Sequence, residues 1–257
     1  MKSKFFPSLF ALPITAGICA AYLRSVLIGC SAGVLSAELL SSAVYGFVAV
    51  CGVAVLMALV AAFILKGGVT FKSHNIDTAA NSVLYIAAAI ILVYAGFQIA
   101  PLLEKFELIR LVLALFSVYA AVSLLVLGKY NMSERSSLAY YVFSAVPVFW
   151  SCFMIVVSFR DESTNPVIYE YAPKILAYLS ILAFSYSMAS YVLGKTRKAT
   201  AVFSCFMGLF FMIVELCAPL FLIGKTPVFS LYSIEGLLPI IAYLIMMPSV
   251  MIKIIKK

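Results

Sequence analysis

The sequence predicts an all-α protein: a polytopic helical membrane bundle of eight transmembrane helices with both termini in the cytoplasm. Three observations carry this. First, 65% of the 257 residues are hydrophobic, only 11% are charged, and the mean hydropathy is +1.14. Soluble domains carry about 25% charged residues, so a chain this apolar needs lipid as its solvent. Second, the apolar runs are continuous for about 20 residues and lack the alternation of a membrane-spanning β-barrel, which leaves helices to satisfy the backbone. Third, Lys and Arg gather at the ends of those runs, where they set topology. That placement also disposes of nucleic acid as the partner of the formal +8 charge. The expected partner is the lipid bilayer of a cell membrane.

The first run, about Phe5–Leu23, follows Lys2 and Lys4 and could be taken for a signal peptide. Leu27-Ile28-Gly29-Cys30 even resembles a lipoprotein cleavage box. Arg24 lies six residues before that cysteine, where a signal's apolar region should hold no charge. The run is therefore expected as an uncleaved first helix, with residues 24–38 open between a loop, a helix extension and a re-entrant piece. Further spans are expected at about Leu39–Leu65, Ala80–Ala100, Leu108–Leu127, Leu138–Phe159, Pro173–Leu193, Thr200–Ile223 and Leu231–Ile252. The loops leave no room for a second domain, so residues 1–257 form a single integral membrane domain. With the N-terminus inside, twelve Lys and Arg fall on the cytoplasmic side and six, Arg24 among them, on the outer side.

A faint repeat links residues 80–129 and 137–195. Val126-Leu127-Gly128-Lys129 and Val192-Leu193-Gly194-Lys195 end two spans alike, and Ser82 and Tyr85 match Ser137 and Tyr140. These would be tandem hairpins in parallel orientation.

Between the fifth and sixth spans lies a polar loop. Arg160, Asp161 and Glu162 read as a solvated cap on the fifth helix or as an outer rim. Asn165 before Pro166 is a helix-start signal, because the side chain can accept from early backbone amides and proline at the first helical position loses nothing. Trp150-Ser151-Cys152-Phe153, Phe159-Arg160, Asn165-Pro166, a tyrosine and an apolar helix ending in Gly194-Lys195 together resemble multipass membrane proteins of low-GC Gram-positive bacteria. The resemblance covers about 45 residues and implies a bacterial inner membrane. It implies no activity.

In the sixth span Ser180, Ala183, Ser187, Ser190 and Gly194 fall at i, +3, +7, +10 and +14, one narrow strip with Tyr191 beside it. Small residues so arranged let another helix approach closely. They suit a packing seam, a partner protein or second copy, or the polar wall of a solute cavity.

Glu215 is the sharpest residue. It lies in FFMIVELCAPLF, about 16 residues or roughly 24 Å from the cytoplasmic end of its span. A carboxylate there must pair, face water or take a proton. No cation shares its span, and Arg24 and Arg160 are expected at the interface, so the sequence favours a proton-taking group. Glu235, Gln98 and Arg110 could reach the same layer.

The bland residues are quickly placed. Cys19, Cys30, Cys51, Cys152, Cys205 and Cys217 form no CxxC and read as small hydrophobes. His74, the one histidine, falls in a cytoplasmic loop. No Walker, HExxH or dinucleotide motif is present, and one histidine cannot serve a haem pair or a plausible triad. No enzyme, metal or cofactor is expected. Two functions stay open. A small-solute transporter or solute-binding subunit would use Glu215, Trp150, Ser187 and Tyr191, with Arg160, Asn165 and Glu235 as the outer rim. A non-catalytic scaffold would offer the serine strip to a partner helix.

Overall fold

The protein was described from a computed structural model covering residues 6–31, 38–64, 78–103, 106–129, 138–162, 168–193, 197–222 and 234–256. It is an all-helical membrane bundle. Eight helices are long and apolar enough to cross a bilayer. They are α1 (Phe6–Ser31), α2 (Glu38–Ile64), α3 (Thr78–Ile99), α4 (Leu108–Lys129), α5 (Leu138–Glu162), α6 (Ile168–Val192), α7 (Lys198–Cys217) and α8 (Ile234–Lys256).

Helix ends follow local chemistry. A residue before proline disfavours the α conformation, and α3 accordingly tightens into a 3-10 turn at Ala100–Leu103, ahead of and through Pro101. In the same way α7 stops at Cys217, two residues before Pro219. Helix α5 runs on past the expected Phe159 and includes the polar cluster Arg160-Asp161-Glu162 in its last turn. Asn165 and Pro166 lie outside the described residues, as do His74 and Gly194. The choice left open for residues 24–38 resolves in part, since residues 24–31 continue α1 as helix.

Packing divides the bundle in two. Helices α3, α4, α5, α6 and α8 touch in sequence and close into a ring, α8 meeting α3. Outside that ring, α7 lies against α6 and α8, and its other side is clasped by α1 and α2. Helix α7 is the spine. Every residue from Ser204 to Glu215 is buried, as an all-round apolar helix requires. Hairpins α3–α4 and α5–α6 occupy the two proposed repeat segments, and in the first Tyr85 packs over Gly128 so closely that a Cβ there would come within 2.9 Å of its ring.

Apolar burial drives little association in lipid, so close backbone approach and polar contacts hold the helices together. Gly17 of α1 shows it: an added Cβ would meet Ile213 Cβ at 3.0 Å and the Phe210 carbonyl at 3.1 Å on α7. Gly208 does the same for Met247 of α8. The cysteines are mixed rather than uniformly buried: Cys205 is enclosed, whereas Cys19 and Cys152 face outward.

Candidate functional site

One stripe of α3 runs Leu84, Ala87, Ala88, Ile91, Tyr94, Ala95 and Gln98, all buried. The spacing follows the helical repeat and turns a single face inward. Tyr94 enters the ring from this stripe, and its ring meets Trp150 of α5 edge-on, 6.5 Å between centroids at 78°. Trp150 is fully buried and stacks on Tyr243 of α8 at 6.0 Å and 18°. Its indole N–H donates to Ser117 Oγ of α4 at 2.9 Å, and Ser117 donates to the Leu113 carbonyl. Tyr243 and Ser185 share a hydrogen bond of 2.9 Å. Five helices thus meet through one aromatic core, and each polar handle of it named so far is satisfied.

Nearer the end where α3 stops and α8 begins, the chemistry changes. Tyr94 donates to Met154 Sδ at 3.1 Å, and Tyr178 of α6 donates to the Gly236 carbonyl in the first turn of α8 at 2.9 Å. Gln98, one turn beyond Tyr94, is only 7% exposed, but its amide is not enclosed: among the described residues the buried side-chain polar atom without a partner is the Tyr140 hydroxyl of α5. Around this end stand three ion pairs: Arg110–Glu107 at 3.1 Å, Arg160–Asp161 at 2.7 Å and Lys174–Glu162 at 2.8 Å. The last ties α5 to α6. Glu235, in the first turn of α8, has no paired cation among the described residues.

The expected residues do not form one site. Trp150 sits in the aromatic core. Glu215 lies on α7, beyond α6 from that core, and is paired with Arg24. Arg24 is fully enclosed and Glu215 is 2% exposed. This overturns the proton-taking expectation: a guanidinium on α1 compensates the carboxylate, and Arg24 is an interior residue rather than an interfacial one. The cause is the length of α1, which carries Arg24 down the same face as Gly17, Ala20, Ala21 and Leu27.

Ser187 and Tyr191 lie elsewhere. Ser187 donates to the Ala183 carbonyl and meets Ser204 of α7 at 3.5 Å. It is nine residues, about 14 Å of helix, from Tyr178. Tyr191 is buried a further turn away. The serine strip also faces inward. Ser180 packs beside Gly208 and Ser187 beside Ser204, so α7 of the same chain occupies the seam expected for a partner. Ala183 and Ser190 are half-buried. Of the expected rim, Arg160 is half-exposed on Asp161, and Glu235 flanks the polar end of the ring.

Sequence reading missed Tyr94, Tyr178 and Tyr243 as one cluster. A signal existed in the first: Tyr94 and Gln98 share an α3 face with alanines. No family model matches this sequence, and neither a curated protein nor a solved structure matches it. What the geometry defines is a multi-pass membrane protein with a closed aromatic ring, polar at one end.

Proposed function

We propose that this chain binds a small solute at the polar end of the five-helix ring, as a transporter or as the solute-binding subunit of one. The observation that carries the reading is Gln98. It is a carboxamide on the inward, alanine-lined face of α3, only 7% exposed, and polar residues within membrane helices are candidates for a functional role by default. Here the amide sits one turn beyond Tyr94, over a core in which Tyr94, Trp150, Tyr178 and Tyr243 each have a hydrogen-bond partner. The binding end is the extracytoplasmic one on charge grounds: with Arg24 interior, twelve Lys and Arg oppose five. The resemblance of residues 150–195 supports a bacterial inner membrane.

Helix α2 favours the scaffold alternative, since among the described residues it packs mainly on α1 and α7 and presents Tyr45, Val48, Leu56, Val60 and Phe63 outward. Lipid covers such a face equally well, which is why the solute reading is preferred.

Gln98→Cys in a cysteine-free background tests it. A membrane-impermeant thiol reagent applied outside intact cells should label Gln98→Cys, and Ser117→Cys, enclosed under Trp150, should stay unlabelled. Protection of both positions would sink the solute reading.

A further inference from the structure

We propose that α5 is jointed at Pro147, with Ser123 of α4 as the catch that sets the position of its first part, residues 138–146. A proline inside a helix has no N–H to give, so the carbonyl four residues earlier loses its usual donor. In α5 that carbonyl belongs to Phe143. It is met from outside the helix: the Ser123 hydroxyl of α4 donates to it. Ser123 is fully buried, so water does not compete for the bond. The gap made by Pro147 is therefore closed by a neighbouring helix. A bond between helices can break and reform without unwinding a turn of either.

The two parts of α5 are held differently. Beyond Pro147, Trp150 donates to Ser117 and stacks on Tyr243, Met154 accepts from Tyr94, and Glu162 accepts from Lys174. These contacts tie the second part to α4, α8, α3 and α6. Ser151 folds its hydroxyl back onto the Pro147 and Val148 carbonyls, a contact that bends helices. Ahead of Pro147 stands Tyr140, 5% exposed, its hydroxyl buried and without a partner among the described residues. An unpaired buried hydroxyl raises the energy of the state that holds it. Tyr140 is the third residue of α5. A swing about Pro147 carries its hydroxyl toward the membrane surface, and the Ser123 bond is what that swing must break. The arm lies at the end of α5 away from Arg160 and Glu162, so its movement opens the ring opposite Gln98. The joint rests on its own observations and holds or fails independently of the solute site.

The test uses the full chain, cysteine-free, in lipid nanodiscs with nitroxide pairs at exposed positions. Leu138→Cys reports the first part of α5 and Val156→Cys the second, each measured against Ile86→Cys of α3 by double electron–electron resonance. Ser123→Ala should raise a second Leu138–Ile86 distance population about fivefold over the parent, the weight of one ordinary hydrogen bond. The Val156–Ile86 distance should not change. Pro147→Ala, which restores the missing N–H, should return Ser123→Ala to the parent distribution. Tyr140→Phe should melt no lower than the parent. An unchanged Leu138–Ile86 distribution in folded Ser123→Ala overturns the joint. Equal broadening at Val156 does so too, because the whole bundle would then have loosened. If Ser123→Ala does not fold, Tyr140→Phe decides: a lower melting temperature means that the hydroxyl is already satisfied, and the joint is lost.

Discussion

Arg24 and Glu215 are 191 residues apart in the chain and meet inside the bundle. Removing one partner from a buried pair strands the other charge, which costs about 3–5 kcal/mol; replacing both by apolar groups is often neutral. Arg24→Ala and Glu215→Gln should therefore each lower the melting temperature in detergent sharply. The double variant Arg24→Met/Glu215→Leu should recover most of the loss. A Glu215→Gln protein as stable as the parent would show that the pair holds nothing together. Trp150 offers a milder case. Trp150→Phe keeps the stacking surface and loses the hydrogen bond to Ser117, which still donates to Leu113. About 1 kcal/mol should be lost, measured by the same melts.

At the level of helices, the glycines separate into two kinds. Gly17 and Gly208 sit where α1 and α8 touch α7, and a Cβ at Gly208 would lie 2.6 Å from Met247 Sδ. Gly17→Leu meets the Ile213 side chain and the Phe210 backbone, which cannot step aside, so overpacking of about 1–3 kcal/mol is expected. Gly208→Ala presses on a flexible thioether instead, and Met247→Ala should rescue it. Gly52 and Gly96 have nothing within 4 Å. Their change to alanine should be neutral or should stabilise by about 0.5–1 kcal/mol, since glycine weakens a helix interior. If all four glycines respond alike in thermal melts, close approach is not what holds α7 in place.

For the whole molecule, reporter fusions at Lys66, Gly128, Lys195 and the C-terminus should all give cytoplasmic signals. An extracytoplasmic signal at Lys195 would invert the assignment of the polar end. Helix number and approximate bounds were legible because each crossing must be about 20 apolar residues long, a constraint that acts on the sequence locally. Pairing was not legible. Arg24 reads as interfacial when the first span is stopped at Leu23, and only the continuation of α1 to Ser31 carries it inside. The serine strip of α6 was recognised, but its occupant was not, because a seam for α7 and a seam for another protein look the same in sequence. Trp150 could be singled out as unique. That it would be walled in by Tyr94 and Tyr243 depends on α3, α5 and α8 meeting in one ring, and nothing in any single helix encodes that.

Helix α7, the spine, is seventh to be made. While the ribosome works through the 191 residues that separate the two charges, Arg24 has no Glu215 to meet. At synthesis rates of about 5–20 residues per second, that interval is on the order of 10–40 s. Helices α1 and α2 spend it without the element they later clasp, and a lone guanidinium in hydrocarbon costs about 3 kcal/mol or more. Until then that cost is lowest where the Arg24 side chain can snorkel toward water. Only when α7 arrives does Arg24 have Glu215 to meet, so α1 completes its packing well after it is made.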